Sequence, residues 1–174
     1  QPTENFMSLS MYQASVPAFR KILGNLKTIL KKGEDFAKAK KIDESVLLGC
    51  RLYPDMFALP RQVQIATDVA KGACCRLAGI DIPAFEDKEA TFAELYARID
   101  RTLDLLATFK PEQIDGQEAR DIVITPGGTE RRFKGQDYLV HWAMPNFYFH
   151  VMASYLILRH NGVEVGKMDY LGDF

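Results

Sequence analysis

Residues 135–162 read GQDYLVHWAMPNFYFHVMASYLILRHNG, an almost unbroken run of aromatic and aliphatic side chains. Such a run predicts the most buried helix of the fold. Pro145 lacks an N–H group and clashes with the carbonyl one turn back, so we predict one or two turns ending near Met144 and a main helix from about Asn146 to His160. Gly162, just past the last periodic residue, indicates where this helix ends.

A first amphipathic helix is predicted within residues 8–40, because apolar residues recur there at steps of three and four. Ser15, ahead of Val16 and Pro17, is a plausible first residue. In the alternative, the helix begins earlier and Pro17 is a kink inside it. Gly33 is expected to end or bend this helix.

Two more helices are predicted in the middle of the chain. One runs from near Asp55 to Leu77, with a kink or restart at Pro60 and Gly79 at its end. The other runs from about Thr91 to Phe109, and Thr91 with Glu94 forms a capping box at its start.

Residues 121–133 contain DIVIT, PGGT and ERRF, which predict two short strands around a turn. Together these patterns predict an all-α fold, a four-helix bundle with a small β-hairpin before the last helix. We expect a single domain over residues 7–174. The first six residues, QPTENF, are interpreted as an N-terminal extension or a cloning remnant.

Composition argues against several classes of partner. Lysine and arginine number 22 against 23 aspartate and glutamate residues, so the chain has no net basic field for nucleic acid or an anionic membrane. No apolar run reaches the length needed to span a bilayer. The three cysteines, Cys50, Cys74 and Cys75, lack metal-type spacing and do not predict a disulfide framework, which fits a reducing, cytoplasmic compartment.

A few polar residues fall within the predicted apolar interior. Gln64 and Asp68 lie on the second long helix, and Asn146 and His150 lie four apart on one face of the last. If they converge on a cavity, His150 is the candidate acid–base residue near neutral pH, with Asp68 holding its tautomer. Alternatively, these groups satisfy one another as ordinary buried polar residues.

Other candidates surround this predicted cluster. Trp142, Tyr148 and Tyr155 are near it in sequence and are expected to line the same pocket. Arg51 and Asp55, four apart, are interpreted as a local ion pair or as residues that anchor a ligand. The three histidines, at 141, 150 and 160, are spaced nine and ten apart and cannot share one helix face.

Two segments carry a resemblance to a known family: RLYPDMFALPRQVQIATDVAKGACCRLAG and PNFYFHVMASYLILRHNGVEVGKMDYLG. From Ser8 onward the chain resembles the DUF1993 family, a branch of the DinB/YfiT-like superfamily of metalloenzymes. The resemblance implies an up-down-down-up four-helix bundle that commonly forms homodimers. In that superfamily a histidine on the second helix and an H-x-x-x-H pair on the fourth bind a divalent metal, and some members are thiol-dependent transferases or isomerases.

The resemblance places Asn146 and His150 at the H-x-x-x-H positions and Gln64 or a neighbouring residue at the second-helix histidine. Neutral amide oxygens are weak ligands for zinc or nickel. We therefore expect a degenerate metal site and no cofactor. A metal, if one binds, would use His150, Asn146 and Gln64.

Three functional hypotheses follow. The first is a small-molecule pocket at the degenerate site, with isomerase, cyclase or transferase activity through His150. The second is a non-catalytic, dimeric interaction or structural protein. The third is a thiol transferase that depends on a divalent metal.

Overall fold

The computed structural model describes residues 9–173. Along this part of the chain the helices and strands are, in order, α1 (Met11–Lys40), α2 (Glu44–Leu48), α3 (Leu59–Ala78), α4 (Phe92–Ala107), α5 (Pro111–Ile114), β1 (Asp121–Ile124), β2 (Arg131–Lys134), α6 (Gly135–Asp137), a π-helix (Tyr138–Ala143), α7 (Met144–His160) and α8 (Lys167–Leu171). The predicted extension, residues 1–6, lies outside the described residues.

The four long helices form a closed bundle. Helix α1 packs against α4 and α7, and α3 packs against the same two neighbours. Fully buried side chains such as Phe19, Leu26, Leu95 and Phe147 fill the space between them. The predicted all-α bundle with a hairpin before the last helix is confirmed.

Helix α1 begins earlier than Ser15. Ser10 caps it through a capping box with Gln13, and Pro17 lies inside the helix. Gly33 neither ends nor interrupts α1: a Cβ atom there would lie 3.0 Å from Cδ2 of Leu158, so this glycine permits close packing of α1 on α7. The helix ends at Lys40, and Lys41 takes a left-handed conformation with φ 55°.

Helix α3 begins at Leu59, not near Asp55. Residues 53–56 form a turn in which the N–H of Met56 donates to the carbonyl of Tyr53. Pro60 lies in the first turn of α3, where its missing N–H costs no helical hydrogen bond, so it causes no kink. Gly79 ends the helix with φ 69°, as predicted.

Helix α4 and the hairpin follow the sequence closely. The N–H of Glu94 donates to Oγ1 of Thr91, and the N–H of Thr91 donates to Oε2 of Glu94, which confirms the predicted capping box. Strands β1 and β2 pair antiparallel, with Asp121 opposite Lys134 and Ile124 opposite Arg131.

Helix α7 has Pro145 in its first turn and is continuous with the π-helix before it. A restart near Met144 was predicted, but the π-helix was not. Pro145 has no N–H to donate to the preceding turn. The regular pattern of backbone hydrogen bonds along the helix is therefore interrupted where the π-helix ends. None of the helices within residues 9–173 has the length and apolar character needed to cross a bilayer.

Candidate functional site

The four polar residues predicted to meet inside the bundle do not form one cluster. His150 pairs with Gln62, whereas the amide of Gln64 bonds to Glu89 and Arg61. Residues 62 and 64 lie about 200° apart around α3, so their side chains face different neighbours. The expectation that Gln64 and Asp68 face His150 is corrected accordingly.

The contacts of His150 assign its proton to one ring nitrogen. Its Nδ1 atom lies 2.7 Å from Oε1 of Gln62, and Nε2 of Gln62 donates to the carbonyl of Phe57 at 3.1 Å. Because the amide oxygen faces the ring, Nδ1 carries the proton and donates it. Burial, aided by the charge of Arg61, lowers the pKa of His150 to about 4. The imidazole is therefore neutral at neutral pH, which corrects its predicted titration there.

Arg98 of α4 is the centre of a second, buried network. Its side chain is 2% exposed, and its guanidinium donates to Oγ1 of Thr67 at 2.7 Å, to Oδ1 of Asp68 at 2.9 Å and to Oε1 of Glu89 at 3.0 Å. The other oxygen of Glu89 accepts from Nε2 of Gln64 at 2.9 Å. Every nitrogen of the guanidinium thus has an acceptor, as a buried cation requires.

A second buried cation, Lys71, pairs with the carboxylate of Asp68. Nζ of Lys71 lies 3.0 Å from Oδ1 of Asp68 and 3.8 Å from the ring centroid of Phe85. The guanidinium of Arg101 also lies over that ring, at 4.0 Å. These contacts tie the segment between α3 and α4 to the bundle and fix the position of the Asp68 carboxylate.

A cleft of about 300 Å³ opens on the other side of Asp68, between α3, the hairpin and the start of the last helix. We call it the α3–hairpin cleft. It brings together three of the predicted site residues, Asp68, Asn146 and Trp142. The complete lining comprises Asp68, Val69, Arg76, Ile124, Thr125, Pro126, Tyr138, Trp142 and Asn146.

Trp142 is held in the cleft wall by the hairpin. Its ring lies 5.8 Å from that of Phe133 on β2, and the guanidinium of Arg131 lies over it at 5.5 Å. Asn146, one turn along the last helix, is half-buried. Among the described residues no protein group forms a hydrogen bond with the Asn146 side chain, so its amide remains available to a ligand.

Arg76 and Tyr138 also line the cleft. Nη1 of Arg76 donates to the hydroxyl of Tyr138 at 3.0 Å. The guanidinium folds back along α3 over Gly72, where a Cβ atom would lie only 2.6 Å from Nη1. The absence of a side chain at Gly72 is what gives the guanidinium room to lie in this position.

A family model described as "Domain of unknown function (DUF1993)" matches residues 11–171, nearly the whole chain. The chain belongs to the DUF1993 family. It is also similar to a solved structure described as a DinB family member protein from Shewanella denitrificans. The two share 44% identity and superpose with a TM-score of 0.86, covering 94% of this chain and 92% of the other. Comparison with curated proteins gave no match.

The side chains that the resemblance places at metal-binding positions, His150, Asn146 and Gln64 or a neighbour, offer one imidazole and otherwise neutral amides. His150 and Gln64 point into different networks, and Asn146 contributes only a neutral amide. Within residues 9–173 no group of three or more histidine, cysteine, aspartate or glutamate side chains is arranged to hold an ion. The donor set therefore does not fit a tightly bound divalent metal.

Besides His150 and Gln64, four predicted residues lie away from the α3–hairpin cleft. The ring of Tyr148 packs on Phe147 with centroids 5.4 Å apart, and the hydroxyl of Tyr155 donates to the carbonyl of Val165. Arg51 donates to the carbonyls of Pro54 and Met56 rather than to Asp55. Among the described residues no ion pair joins Arg51 to Asp55, and both side chains are exposed.

Sequence reasoning did not select Arg98, Lys71 or Arg76 as site residues. Arg98 carried a detectable signal, because it lies three residues after Leu95 on the buried face of α4. Lys71 follows Asp68 by three residues, the spacing of a helical ion pair. Gln62 is as polar as Gln64, and nothing in the sequence shows that it, and not Gln64, faces His150.

Proposed function

We propose that this DUF1993 protein binds a small polar organic molecule in the α3–hairpin cleft. The observation that carries the proposal is the convergence of an unengaged Asn146 amide, the Asp68 carboxylate and the Trp142 ring on one cleft. Ligand sites of this kind combine an apolar wall with a few polar groups, and about 300 Å³ is at the lower end of their volumes.

Asp68 and Trp142 are held in place before a ligand binds. Both ion pairs of Asp68, with Arg98 and with Lys71, run to Oδ1, so that Oδ2 is left for a ligand donor. Trp142 is fixed by Phe133 and Arg131. Such preorganisation reduces the entropy lost on binding.

A larger cleft, about 530 Å³, lies between residues 84–89 and α4 but supports binding less well. Its buried polar groups, Arg98 and Glu89, are already engaged with each other and with Thr67 and Gln64. A ligand there would have to compete with these bonds, whereas Asn146 in the α3–hairpin cleft has none to lose.

Acid–base catalysis, in the form of isomerase, cyclase or transferase chemistry, would require His150 and Asp68 to reach one substrate. His150 does not line the cleft, and its proton is engaged with Gln62. Its free Nε2 atom is the only ring position left to act as a base. The geometry therefore supports binding better than catalysis through this pair.

The binding proposal is tested by native mass spectrometry of protein purified from cells under gentle conditions. We expect a small molecule to co-purify with the protein and to be lost from the double variant Asn146→Ala/Asp68→Asn. The matched control is Gln136→Ala, an exposed amide outside the cleft, which should retain the molecule. A ligand retained equally by all three proteins, or by none, would contradict the proposal.

A second proposal concerns the outer face of α7, which we infer pairs two copies of the chain. Phe149 is 57% and Leu156 41% exposed, and they lie seven residues apart on the same face. Phe57, also apolar, is 53% exposed. Its carbonyl accepts a hydrogen bond from Gln62. Gln62 in turn pairs with His150, the residue after Phe149. An exposed apolar stripe of this kind is typical of protein–protein interfaces.

Sedimentation velocity tests the pairing. We expect a dimer for the unmodified chain and a monomer for Phe149→Glu/Leu156→Glu. Val123→Glu places the same charge at an apolar position on β1 that is 46% exposed and should leave the dimer intact. A monomer in the unmodified protein would disprove the pairing without affecting the cleft.

A further inference from the structure

We propose that the α3–hairpin cleft selects a small organic monoanion, a carboxylate, through the guanidinium of Arg76 and the hydroxyl of Tyr138. This inference rests on the binding function proposed above and adds the chemical class of the ligand.

Arg76 is a cation without an acidic partner in the described structure. Its side-chain contact is the neutral hydroxyl of Tyr138, whose ring also lies 5.9 Å from the guanidinium carbon. Within residues 9–173 no carboxylate forms an ion pair with it, although Arg98, Arg61 and Lys71 nearby on α3 and α4 are all paired with acids. A half-buried guanidinium with free N–H groups is a suitable partner for a planar carboxylate, which it binds through two parallel hydrogen bonds.

Tyr138 supplies a further donor. Its hydroxyl oxygen accepts from Arg76, so its own proton is directed elsewhere and can be donated to a ligand oxygen. The side chain is 2% exposed, and burial raises the pKa of the phenol, which keeps the proton on the oxygen at neutral pH. The guanidinium of Arg76 and the phenol of Tyr138 together form a binding site for one anionic group.

Asp68 restricts the charge that the cleft accepts. Its carboxylate lines the same cleft, two turns before Arg76 on α3, and would repel a second negative charge. Arg76 is the one cation among the lining residues, and Asp68, although paired with Arg98 and Lys71 through Oδ1, still disfavours a second negative charge near its Oδ2, so a monoanion is favoured over a phosphate dianion. Asp68 and Asn146 can then bind donor groups elsewhere on the ligand, while Trp142 and Pro126 contact its apolar part.

The chain contains one tryptophan, so the fluorescence of Trp142 reports directly on this cleft. We would titrate the protein with benzoate, with its neutral isostere benzamide and with inorganic phosphate, exciting at the red edge of tryptophan absorption. Benzoate is expected to give a saturable change, with benzamide and phosphate each weaker by about tenfold or more, the factor typical of a lost charged hydrogen bond.

Substitutions test whether Arg76 and Tyr138 bind the carboxylate group of the ligand. Arg76→Gln should weaken benzoate binding by about tenfold or more and leave benzamide binding unchanged. Tyr138→Phe should weaken benzoate by a smaller factor, and it keeps the inference testable if the arginine variant fails to fold. Arg51→Gln removes one positive charge from an exposed site outside the cleft and should change neither affinity.

The possible contrary results distinguish the carboxylate inference from the binding proposal. Benzamide binding as tight as benzoate, or benzoate affinity unchanged in folded Arg76→Gln, would overturn the carboxylate inference and leave the binding proposal intact. Phosphate binding tighter than benzoate would overturn the choice of a monoanion. A co-purified neutral molecule with no response to benzoate would also overturn this inference alone, while the absence of any ligand in both experiments would overturn both proposals.

Discussion

Oδ1 of Asp68 lies 2.9 Å from Nη2 of Arg98, and the two residues join the buried interior to the α3–hairpin cleft. The Arg98 side chain is 2% exposed and that of Asp68 is 38% exposed. The same carboxylate therefore neutralises a buried cation and lines a site open to solvent. Changes in the buried network should consequently alter the cleft as well as the stability of the fold.

Replacing Arg98 by methionine should destabilise the protein strongly. Loss of the guanidinium leaves Glu89 without its buried cationic partner and Asp68 with Lys71 alone, which costs about 3–5 kcal/mol in comparable pairs. The measurement is the free energy of unfolding in urea. The control is Lys27→Met, which breaks the more exposed pair with Asp100 and should cost less than about 1 kcal/mol. Equal losses in the two variants would show that the Arg98 network contributes no more than a surface ion pair.

Replacing Gln62 by leucine should also destabilise the fold. The change leaves the Nδ1–H of His150 and the carbonyl of Phe57 without a partner in a buried site, at a cost of about 1–3 kcal/mol. Thermal and urea unfolding would measure it. Gln136→Leu, at an exposed position, should change stability by less than about 0.5 kcal/mol. A neutral effect at Gln62 would mean that water replaces the lost bonds.

Stability should fall on mild acidification because of His150. Its pKa is about 4 in the folded protein and near 6.5 in the unfolded chain, so the unfolded chain binds more protons between these values. The contribution is complete above pH 6.5 and is lost as the pH falls towards 4. For a buried imidazole it amounts to at most about 3 kcal/mol.

His150→Asn isolates this contribution, because asparagine can keep an N–H donor towards Oε1 of Gln62 but does not titrate. Urea unfolding of both proteins, from neutral pH down to about 4, should show the unmodified chain losing more stability than the variant. Comparison with the variant removes the effect of other groups, including Glu34, whose pKa Lys38 and Tyr96 lower to about 2. Parallel profiles would show that His150 is not a neutral, buried base.

Gly72→Ala should separate binding from stability. The new methyl group would meet Nη1 of Arg76, the mobile end of a flexible side chain, so the guanidinium is expected to move away from Tyr138. Alanine also favours the helix by up to about 1 kcal/mol, so stability should not fall. Benzoate affinity, measured by Trp142 fluorescence, should decrease.

Gly24→Ala is the matched control for Gly72→Ala. A Cβ atom at Gly24 meets nothing within 4 Å, so the same substitution within α1 should stabilise the fold without affecting benzoate. Equal benzoate affinity in both variants would show that Arg76 does not need its position over Gly72.

Much of the fold could be predicted because its signals are local. Thr91 with Glu94, Gly79 and the Pro-Gly-Gly turn each fix a helix end or a turn through contacts within a few residues. The errors in predicted helix ends and kinks arose where a residue type can play either of two structural roles. Pro60 can kink a helix or begin one, and Gly33 can end a helix or allow another to approach it closely.

The candidate site could be predicted only in part. Asp68, Asn146 and Trp142 were identified and do share a cleft. Polar or aromatic residues on the facing sides of two packed helices are confined to the space between those helices, so they tend to lie close together. Arg76 was not identified, since its importance depends on Gly72, on Tyr138 of the π-helix and on the hairpin beside it. None of these contacts has a signature in sequence spacing.

By itself the sequence determined the number of long helices, most of their ends and the residues that fill the core, since these depend on periodicity and on contacts within one or two turns. Only the tertiary structure decided that His150 meets Gln62 and that Asp68 meets Arg98. The physical reason is rotational: neighbouring positions on a helix differ by about 100°, so the exact rotation of α3 against α4 and α7 determines which polar side chains come within bonding distance.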